Sequence, residues 1–245
     1  MTMKRLDIVG FGPGDKKHMT YEAYEAIENC QVIVGFTTYT NLIKNIFPDK
    51  TYENTGMGKE VDRVRKAFEI AATGKYVCLV CSGDASVYGM AGLAYELSEF
   101  YEGVELNTIS GVTAALSGSA LLGAACGNDL CLISLSDYHT SWIDIEKRLR
   151  AAAQLDFVIS LYNPCSKKRP DSLKKACEIL LLDLPNDRIC GVTENIGRKD
   201  EKTRIMPLKD LLNYEGNMFS TIFIGNSKTK TINNKMVTPR GYKIG

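Results

Sequence analysis

The sequence predicts an α/β protein built from two domains, and two observations predict it. Short apolar runs alternate with amphipathic helical segments along most of the chain, which is typical of βαβ units. In addition, three strands of the first half end in turns rich in Gly, Ser, Thr and Asp, at Gly10, Ser82 and Ser110. Because ligands of open α/β sheets bind beyond the carboxyl ends of the strands, we expect these turns to converge on one cleft.

Length and composition narrow the class of protein. The 245 residues are 44% hydrophobic, which is enough for a sizeable core. Thirty basic and twenty-nine acidic side chains give a formal net charge of +1, so no overall field favours nucleic acid or a membrane surface. No run approaches the ~18 apolar residues of a membrane-spanning helix, and no secretory signal pattern opens the chain. We therefore expect a globular, cytoplasmic protein with no nucleic-acid or membrane partner.

The first strand, Leu6–Val9, leads into the turn Gly10-Phe11-Gly12-Pro13-Gly14-Asp15. Its spacing differs from the dinucleotide fingerprint G-x-G-x-x-G, and no Gly-Lys-Ser/Thr follows as in a P-loop. Asp15 also places a negative charge where a phosphate would lie. The turn therefore favours a cationic or zwitterionic ligand, with an ordinary tight strand-to-helix turn as the alternative.

The remaining elements continue the α/β rhythm. Thr20 is a candidate N-cap for the first helix. The predicted segments of the first half are a helix over 21–27, a strand over 32–34, helices over 39–46 and 59–72, a strand over 76–81, a helix ending near 100 and a strand over 104–109. Those of the second half are strands over 131–135, 157–161, 188–192 and 219–225, a helix after Trp142 and a helix over 171–182.

Small residues between Ala114 and Gly127 predict a close-packed helix and a junction. We therefore expect domains over residues 1–125 and 126–245. The Lys-, Thr- and Asn-rich tail from Ser227 predicts a solvated end.

The eight cysteines are scattered, and only Cys78 and Cys81 have chelating spacing. Residues three apart on a strand point to opposite faces of the sheet, so these two cannot share a metal. Only two histidines accompany them. We expect reduced cysteines that act as small hydrophobic residues, and no metal site on the protein.

Four motifs, in their order and spacing, resemble those of the tetrapyrrole methylases, a family that uses S-adenosylmethionine. They are Gly10-Phe11-Gly12-Pro13-Gly14-Asp15, Ser82-Gly83-Asp84-x-x-Val87-Tyr88-Gly89, Gly111-Val112-Thr113-Ala114-Ala115 and Leu161-Tyr162-Asn163-Pro164. Three further stretches are similar to the precorrin-3B C17-methyltransferases, a subfamily that includes cobalt-factor III methyltransferases. They are Met57-Gly58-Lys59-Glu60, Ser134-Leu135-Ser136-Asp137 and Tyr162-Asn163-Pro164-x-Ser166-Lys167-x-Arg169.

The resemblance implies two α/β domains with an active site in the trough between them, usually in a homodimer. It implies methyl transfer from S-adenosylmethionine to C17 of a precorrin-3B or cobalt-factor III macrocycle, with ring contraction toward (cobalt-)precorrin-4 and release of S-adenosylhomocysteine. Cobalt, where present, would belong to the substrate. The alternatives are methylation of another carbon of the macrocycle and a non-catalytic nucleotide-binding α/β protein.

The resemblance also implies site residues in both domains. The N-terminal domain would carry the glycine-proline loop, the substrate trough and part of the cofactor site, and the C-terminal domain the rest of that site. The implied cofactor contacts are Ser82, Gly83, Asp84 and Val87 at the amino acid part, Thr113 and Ala114 beside it, and Asn163, Thr193, Ser220 and Thr221 near the adenosine. The implied tetrapyrrole contacts in the glycine-proline loop are Gly10, Gly12, Pro13 and Gly14.

The chemistry suggests catalytic candidates. Methyl transfer mainly requires alignment in a dry site, whereas ring contraction requires a group that moves protons. Asp84, Ser136 and Asp137 are the candidates. The alternatives are that Asp84 only shapes its turn, which we expect to be exposed, and that Ser136 and Asp137 cap the following helix.

A basic segment follows the Tyr162-Asn163-Pro164 motif. Lys167 and Arg169 are candidates for binding the carboxylates of the substrate, because Arg offers bidentate donors. A solvated basic loop is the alternative. For His139 we favour an exposed or structural residue over a proton shuttle or an axial ligand to cobalt, and family members often have Leu and Pro in the segment of His139 and Ser141.

Overall fold

The computed structural model describes residues 4–166 and 168–243. The chain divides into two compact units, Met1–Ala114 and Ala115–Gly245. The elements of the first unit are β1 (Arg5–Gly10), a 3₁₀ turn (Lys16–His18), α1 (Tyr21–Asn29), β2 (Val32–Phe36), α2 (Thr37–Ile43), β3 (Thr51–Thr55), α3 (Glu60–Ala72), β4 (Tyr76–Cys81), α4 (Ala91–Ser98) and β5 (Glu105–Ile109).

The first unit is a parallel sheet with the strand order β3-β2-β4-β1-β5. Apart from the buried Asp7 of β1, the residues of its central strands are mostly apolar on both faces, as is typical of parallel strands covered by helices. In β1, Leu6 and Ile8 pack in the cluster that contains α3 and α4, whereas Val9 packs with α1 on the other face. Because all five strands are parallel, their carboxyl ends lie at one edge of the sheet.

Local signals explain several elements of this unit. The Thr20 hydroxyl accepts a hydrogen bond from the Ala23 amide at 3.1 Å, which confirms the predicted N-cap of α1. Cys78 and Cys81 lie in different core clusters, on opposite faces of β4, as predicted. The sequence did not predict β3, because this strand lies at the edge of the sheet and is polar and partly exposed, so no apolar run marks it.

The second unit contains a mixed sheet. Its elements are α5 (Ala114–Leu122), β6 (Gly123–Ala124), β7 (Leu130–Ser134), α6 (Trp142–Gln154), β8 (Val158–Tyr162), α7 (Ser172–Leu180), β9 (Ile189–Glu194), β10 (Lys202–Pro207), α8 (Leu208–Leu211), β11 (Ser220–Ile224), β12 (Lys230–Ile232) and β13 (Lys235–Val237). The main sheet has the order β10-β9-β11-β8-β7, in which β7 and β8 are parallel and the other neighbours antiparallel. The polar edge strand β10 escaped prediction for the same reason as β3.

The chain divides before the boundary that the sequence suggested. Helix α5 belongs with the second unit because Gly118 lies tightly against Phe223 and Thr193, where a Cβ would come within 2.8–2.9 Å of their side chains. Strand β6 then pairs with β13. Small residues in this stretch therefore serve close packing within the second unit.

The prediction of a solvated tail is wrong for Thr229, Met236 and Thr238, which are buried, whereas residues 230–235 are exposed as predicted. Strands β12 and β13 form a hairpin across Asn233 and Asn234, which both adopt positive φ, as a two-residue hairpin turn requires. Met236 is fully buried against Leu122 and Phe223. Met236 thus anchors an otherwise exposed hairpin to the core of the second unit.

Thr238 provides a test of this docking. Its hydroxyl lies 2.7 Å from the Ala125 carbonyl oxygen and 2.8 Å from the Thr229 hydroxyl. Thr238→Val should lower the free energy of unfolding by about 1–2 kcal/mol, because buried polar partners lose a hydrogen bond. Urea unfolding measures the change, with the exposed Thr231→Val as the control. Equal stability of the two variants would contradict the docking of the tail.

Candidate active site

The turns after β1 and β4 are joined by backbone hydrogen bonds. The Gly12 amide donates to the Gly83 carbonyl at 3.0 Å, and the Gly83 amide donates back to Gly12 at 2.8 Å. The Phe11 amide donates to the Cys81 carbonyl at 3.0 Å. Two of the three predicted turns therefore form one continuous surface at the carboxyl edge of the sheet.

The turn after β5 joins them through Gly111. A Cβ at Gly111 would lie 2.2 Å from the Gly83 carbonyl oxygen and 2.3 Å from that of Gly10. A Cβ at Gly10 would likewise lie 2.8 Å from the Gly111 nitrogen. Such close approach of three backbones requires glycine. The predicted convergence of the three turns is confirmed.

The Asp84 carboxylate holds this arrangement together. One oxygen accepts hydrogen bonds from the Ser86 amide at 2.8 Å, the Ser86 hydroxyl at 2.6 Å and the Val87 amide at 3.1 Å. The other accepts from the Gly111 amide at 2.9 Å. Asp84 is 8% exposed, so the expectation that this residue is exposed is wrong, although Ser86, Tyr88 and Gly89 of its turn are exposed. Its carboxylate connects the turn after β4 to the turn after β5.

These bonds also set the charge of Asp84. Burial raises its pKa, but the hydrogen bonds from Ser86, Gly111 and Val87 outweigh burial and hold the pKa below its usual range. A carboxylate that is ionised and fully engaged is a poor proton carrier. The geometry therefore favours a positioning role for Asp84 at this site.

The implied cofactor residues of the first unit lie together. The Cβ position of Gly83 is 3.8 Å from the Thr113 Cα and 3.9 Å from the Ala114 nitrogen. Ser82 and Val87, both half-buried, flank Gly83 on the turn after β4. The following residue, Tyr88, is 51% exposed with φ of 55°, an uncommon conformation for an aromatic residue. The sequence assigned no role to Tyr88, which its positive φ distinguishes.

In the second unit, a polar cluster follows the carboxyl ends of β7 and β8. Asn163, with φ of 53°, donates from its side-chain amide to the Ser134 hydroxyl at 3.0 Å. The Ser134 hydroxyl also accepts from the Ser136 amide at 3.2 Å. The Tyr162 hydroxyl accepts from the Ala115 amide at 2.8 Å and so fixes the first turn of α5. The sequence did not indicate these bonds, which join the two strand ends to each other and to α5.

Arg169 brings the two catalytic candidates of this unit together. Its Nη1 donates to the Ser136 hydroxyl at 2.7 Å and to the Asp137 carboxylate at 3.1 Å. The helix-cap alternative for Ser136 and Asp137 is wrong, because Ser141 caps α6 through the Asp144 amide. The alternative that the basic segment is a solvated loop is wrong for Arg169, because its side chain is 27% exposed and bonded to Ser136 and Asp137. The other predicted cation, Lys167, lies outside the described residues.

Thr193, Ser220 and Thr221 lie on the adjacent strands β9 and β11 and are buried. The Thr193 hydroxyl donates to the Thr221 carbonyl at 3.3 Å. The Ser220 hydroxyl donates to the Glu194 carboxylate at 3.2 Å and accepts from the Asn217 amide at 2.9 Å. Because β11 runs antiparallel to β8 and β9, its first residues lie at the edge where β8 and β9 end, close to Asn163 and Thr193. The structure thus brings these residues to one edge, with the Thr193 and Ser220 hydroxyls already bonded.

A family model for the Tetrapyrrole (Corrin/Porphyrin) Methylases matches residues 5–212. This chain belongs to the tetrapyrrole methylases. It is 42% identical over 240 residues to the probable cobalt-factor III C(17)-methyltransferase of Salmonella typhimurium, an alignment that covers 98% of this chain and 100% of the relative. Other curated relatives of similar identity are longer, and the chain spans 45% and 53% of two of them.

Solved tetrapyrrole methylases have the same fold. The crystal structure of the methyltransferase CobJ matches with a TM-score of 0.90 and 32% identity over 96% of this chain and 99% of that one. The uroporphyrin-III C-methyltransferase of Thermus thermophilus, solved in complex with S-adenosylhomocysteine, matches with a TM-score of 0.72 over 90% of this chain and 97% of that one. Its 18% identity shows the fold alone.

His139 is exposed in this tetrapyrrole methylase and packs edge-on against Tyr138, with ring centres 4.6 Å apart.

Within residues 4–166 and 168–243, no group of three or more His, Cys, Asp or Glu side chains could hold a metal ion. Over the same residues, no helix combines the length and apolarity needed to cross a bilayer.

Proposed function

We propose that this chain transfers the methyl group of S-adenosylmethionine to C17 of a cobalt-factor III or precorrin-3B macrocycle in cobalamin biosynthesis. The observation that carries the proposal is the convergence of three turns at one edge of the sheet. The chain also matches the probable cobalt-factor III C(17)-methyltransferase of Salmonella typhimurium over the whole length of that relative. Because that relative is named for cobalt-factor III, a substrate that carries cobalt is favoured over metal-free precorrin-3B.

The turns fit a zwitterionic cofactor better than a polyphosphate. Residues 10–15, 82–89 and 110–114 include no Lys or Arg, and the Asp84 carboxylate adds negative charge. The first unit therefore offers backbone groups and small side chains to the amino acid part of S-adenosylmethionine, at Ser82, Gly83, Asp84, Val87, Thr113 and Ala114. Because these turns have no cation for a phosphate group, they disfavour the alternative of a nucleotide-binding protein without catalysis.

The second unit provides the adenosine contacts in this proposal, at Asn163, Thr193, Ser220 and Thr221. Because the Thr193 and Ser220 hydroxyls are bonded internally, recognition there relies on backbone groups and shape. The cofactor supplies an activated methyl group, and the transfer breaks a C–S bond as it forms a C–C bond. The chain's own task is to align the acceptor carbon and to exclude water.

The glycine-proline loop contacts the tetrapyrrole in this proposal, through Gly10, Gly12, Pro13 and Gly14. Arg169 and Lys167 remain predicted contacts for its carboxylates. Arg169 has further N–H donors beyond the Nη1 that binds Ser136 and Asp137, and its side chain is 27% exposed. It can therefore hold these two residues and still meet a substrate carboxylate.

Ring contraction requires proton transfer, and Ser136 and Asp137 are the groups that we propose for it. Ser136→Ala or Asp137→Asn should still add one methyl group but should accumulate an uncontracted macrocycle. Mass spectrometry reports the methyl group, and the absorption spectrum and NMR report the ring. The exposed Asp210→Asn of the same unit is the control. Contracted product at the normal rate from both variants would exclude this role.

The function itself is tested in two steps. Calorimetric titration should show binding of S-adenosylhomocysteine and none of NAD or ATP. Incubation with ¹³C-methyl S-adenosylmethionine and either cobalt-factor III or precorrin-3B should give a product labelled at C17 by NMR. A label at another carbon would support the first alternative, and binding of NAD or ATP without methyl transfer would support the second.

We further propose that the protein is a cytoplasmic homodimer without nucleic-acid or membrane partners. Family resemblance supports the dimer, and the near-neutral net charge supports the absence of polyanionic partners. Sedimentation equilibrium should give twice the mass of the chain, and a monomer at micromolar concentration would exclude the dimer.

A further inference from the structure

Helix α3 carries an arginine that is almost fully buried. Arg63 is 3% exposed. Its Nε donates to the Thr55 hydroxyl at 2.6 Å, its Nη2 to the Gly56 carbonyl at 2.8 Å, and its Nη1 to the Met90 sulfur at 3.4 Å. The guanidinium carbon lies 5.7 Å from the centre of the Phe36 ring. The cation therefore lies against the carboxyl ends of β2 and β3.

No ion pair among the described residues includes Arg63. The buried carboxylate Asp7 differs, because Arg5 binds it with two hydrogen bonds of 2.8 Å. Burying a cation costs several kcal/mol. The charge of Glu60 offsets part of this cost, but burial has the larger effect and lowers the pKa of Arg63. An apolar side chain would pack at this site without that cost. The guanidinium therefore has a task other than filling the core.

Arg63 binds the loop 56–59, between β3 and α3, through the Gly56 carbonyl. Met57 in this loop is 64% exposed. The Lys59 side chain is 63% exposed, with its ammonium 3.3 Å from the Asp62 carboxylate. Positions Gly56 and Gly58 have open space around them. The loop thus presents one apolar side chain and one cation on a backbone that packs little against the rest of the chain.

The loop lies at the same sheet edge as the three turns, because β3 is parallel to the other strands. Strands β2 and β4 separate β3 from β1. Three strand spacings correspond to about 14 Å. A ligand that reaches from the turn after β1 to this loop must therefore be large. A tetrapyrrole has the extent, the apolar faces and the carboxylates that such a surface would recognise.

We propose that loop 56–59 is a substrate-binding element of this enzyme, in which Met57 packs on a face of the macrocycle, Lys59 pairs with one of its carboxylates, and Arg63 is the positioning residue that holds the loop in place. The proposal rests on the proposed function. It assigns the buried guanidinium to substrate recognition and leaves cofactor binding to the turns after β4 and β5.

The test compares steady-state kinetics of Met57→Ser, Lys59→Ala and Arg63→Lys with the wild type. Each variant should raise KM for the macrocycle roughly tenfold, which corresponds to about 1.4 kcal/mol. The Kd of S-adenosylhomocysteine should stay within twofold of the wild type. For Lys59→Ala, the salt dependence of KM should weaken, because one charge pair is lost. Arg65→Lys, exposed on the same helix, is the control for Arg63→Lys.

Hydrogen exchange separates positioning from global stability. Arg63→Lys should speed amide exchange in residues 56–59 and leave β1 and β4 protected. Normal KM for the macrocycle in all three variants, with an active wild type, would overturn this inference alone. A wild type that neither binds S-adenosylhomocysteine nor transfers methyl would overturn the proposed function and this inference with it.

Discussion

Gly111→Ala should abolish measurable binding of S-adenosylhomocysteine and lower the free energy of unfolding by roughly 3 kcal/mol, the upper end of what overpacking usually costs. The added Cβ would lie 2.2 Å from the Gly83 carbonyl oxygen and 2.3 Å from the Gly10 carbonyl oxygen. Both neighbours are backbone atoms, which cannot rotate away as a flexible side chain can. The turn after β5 must therefore move, and the Asp84 bond to the Gly111 amide breaks with it.

Thermal unfolding and calorimetric titration of the same preparation measure both effects. Gly92→Ala is the matched control, because Gly92 lies in helix α4 with open space around its Cβ position. That variant should bind normally and gain up to about 1 kcal/mol of stability, since Ala is the better helix former. Normal binding by Gly111→Ala would show that the three turns are not held as closely as the structure has them.

Asp84→Ala should lower the free energy of unfolding by about 2–4 kcal/mol and weaken the binding of S-adenosylhomocysteine. The substitution removes the acceptor of the Ser86, Val87 and Gly111 amides, and a buried donor without an acceptor costs about 1–3 kcal/mol. In the exposed turn that the sequence suggested, Asp84→Ala would leave the stability of the fold unchanged. Wild-type stability together with wild-type affinity would refute the role of Asp84 as the link between the turns.

Stability measurements at different pH values distinguish the effect of the Asp84 charge from the effect of its side-chain shape. Because the pKa of Asp84 is lowered on folding, its ionised form stabilises the protein above the ordinary carboxyl value of 3.8, and this stabilisation is lost as pH falls below that value. Urea unfolding should therefore show a stability difference between the wild type and Asp84→Asn at pH 7 that narrows at pH 3. A difference that is the same at both values would assign the effect to geometry alone.

The sequence by itself determined the α/β class and most of the buried strands. Strands such as β1, β4 and β11 are buried, so their apolar runs mark them without any knowledge of their neighbours. The glycine turns were equally visible, because a backbone that approaches other backbones closely must lack a Cβ. Their motifs also sufficed for the family resemblance, which the family model and the curated relative confirmed.

Only the tertiary structure determined which strands lie at the edges of the sheets and which distant residues contact each other. Strands β3 and β10 are polar and largely exposed, so no apolar run marks them, and only their pairing with β2 and β9 shows that they are strands. Asp84 and Gly111 are 27 positions apart, and Ser136 and Arg169 are 33 apart. Which residues meet over such separations depends on the strand order, and no local pattern in the chain encodes it. The same reason hid the buried charge of Arg63, since an arginine in an amphipathic helix shows its burial only when the strands beside it are in place.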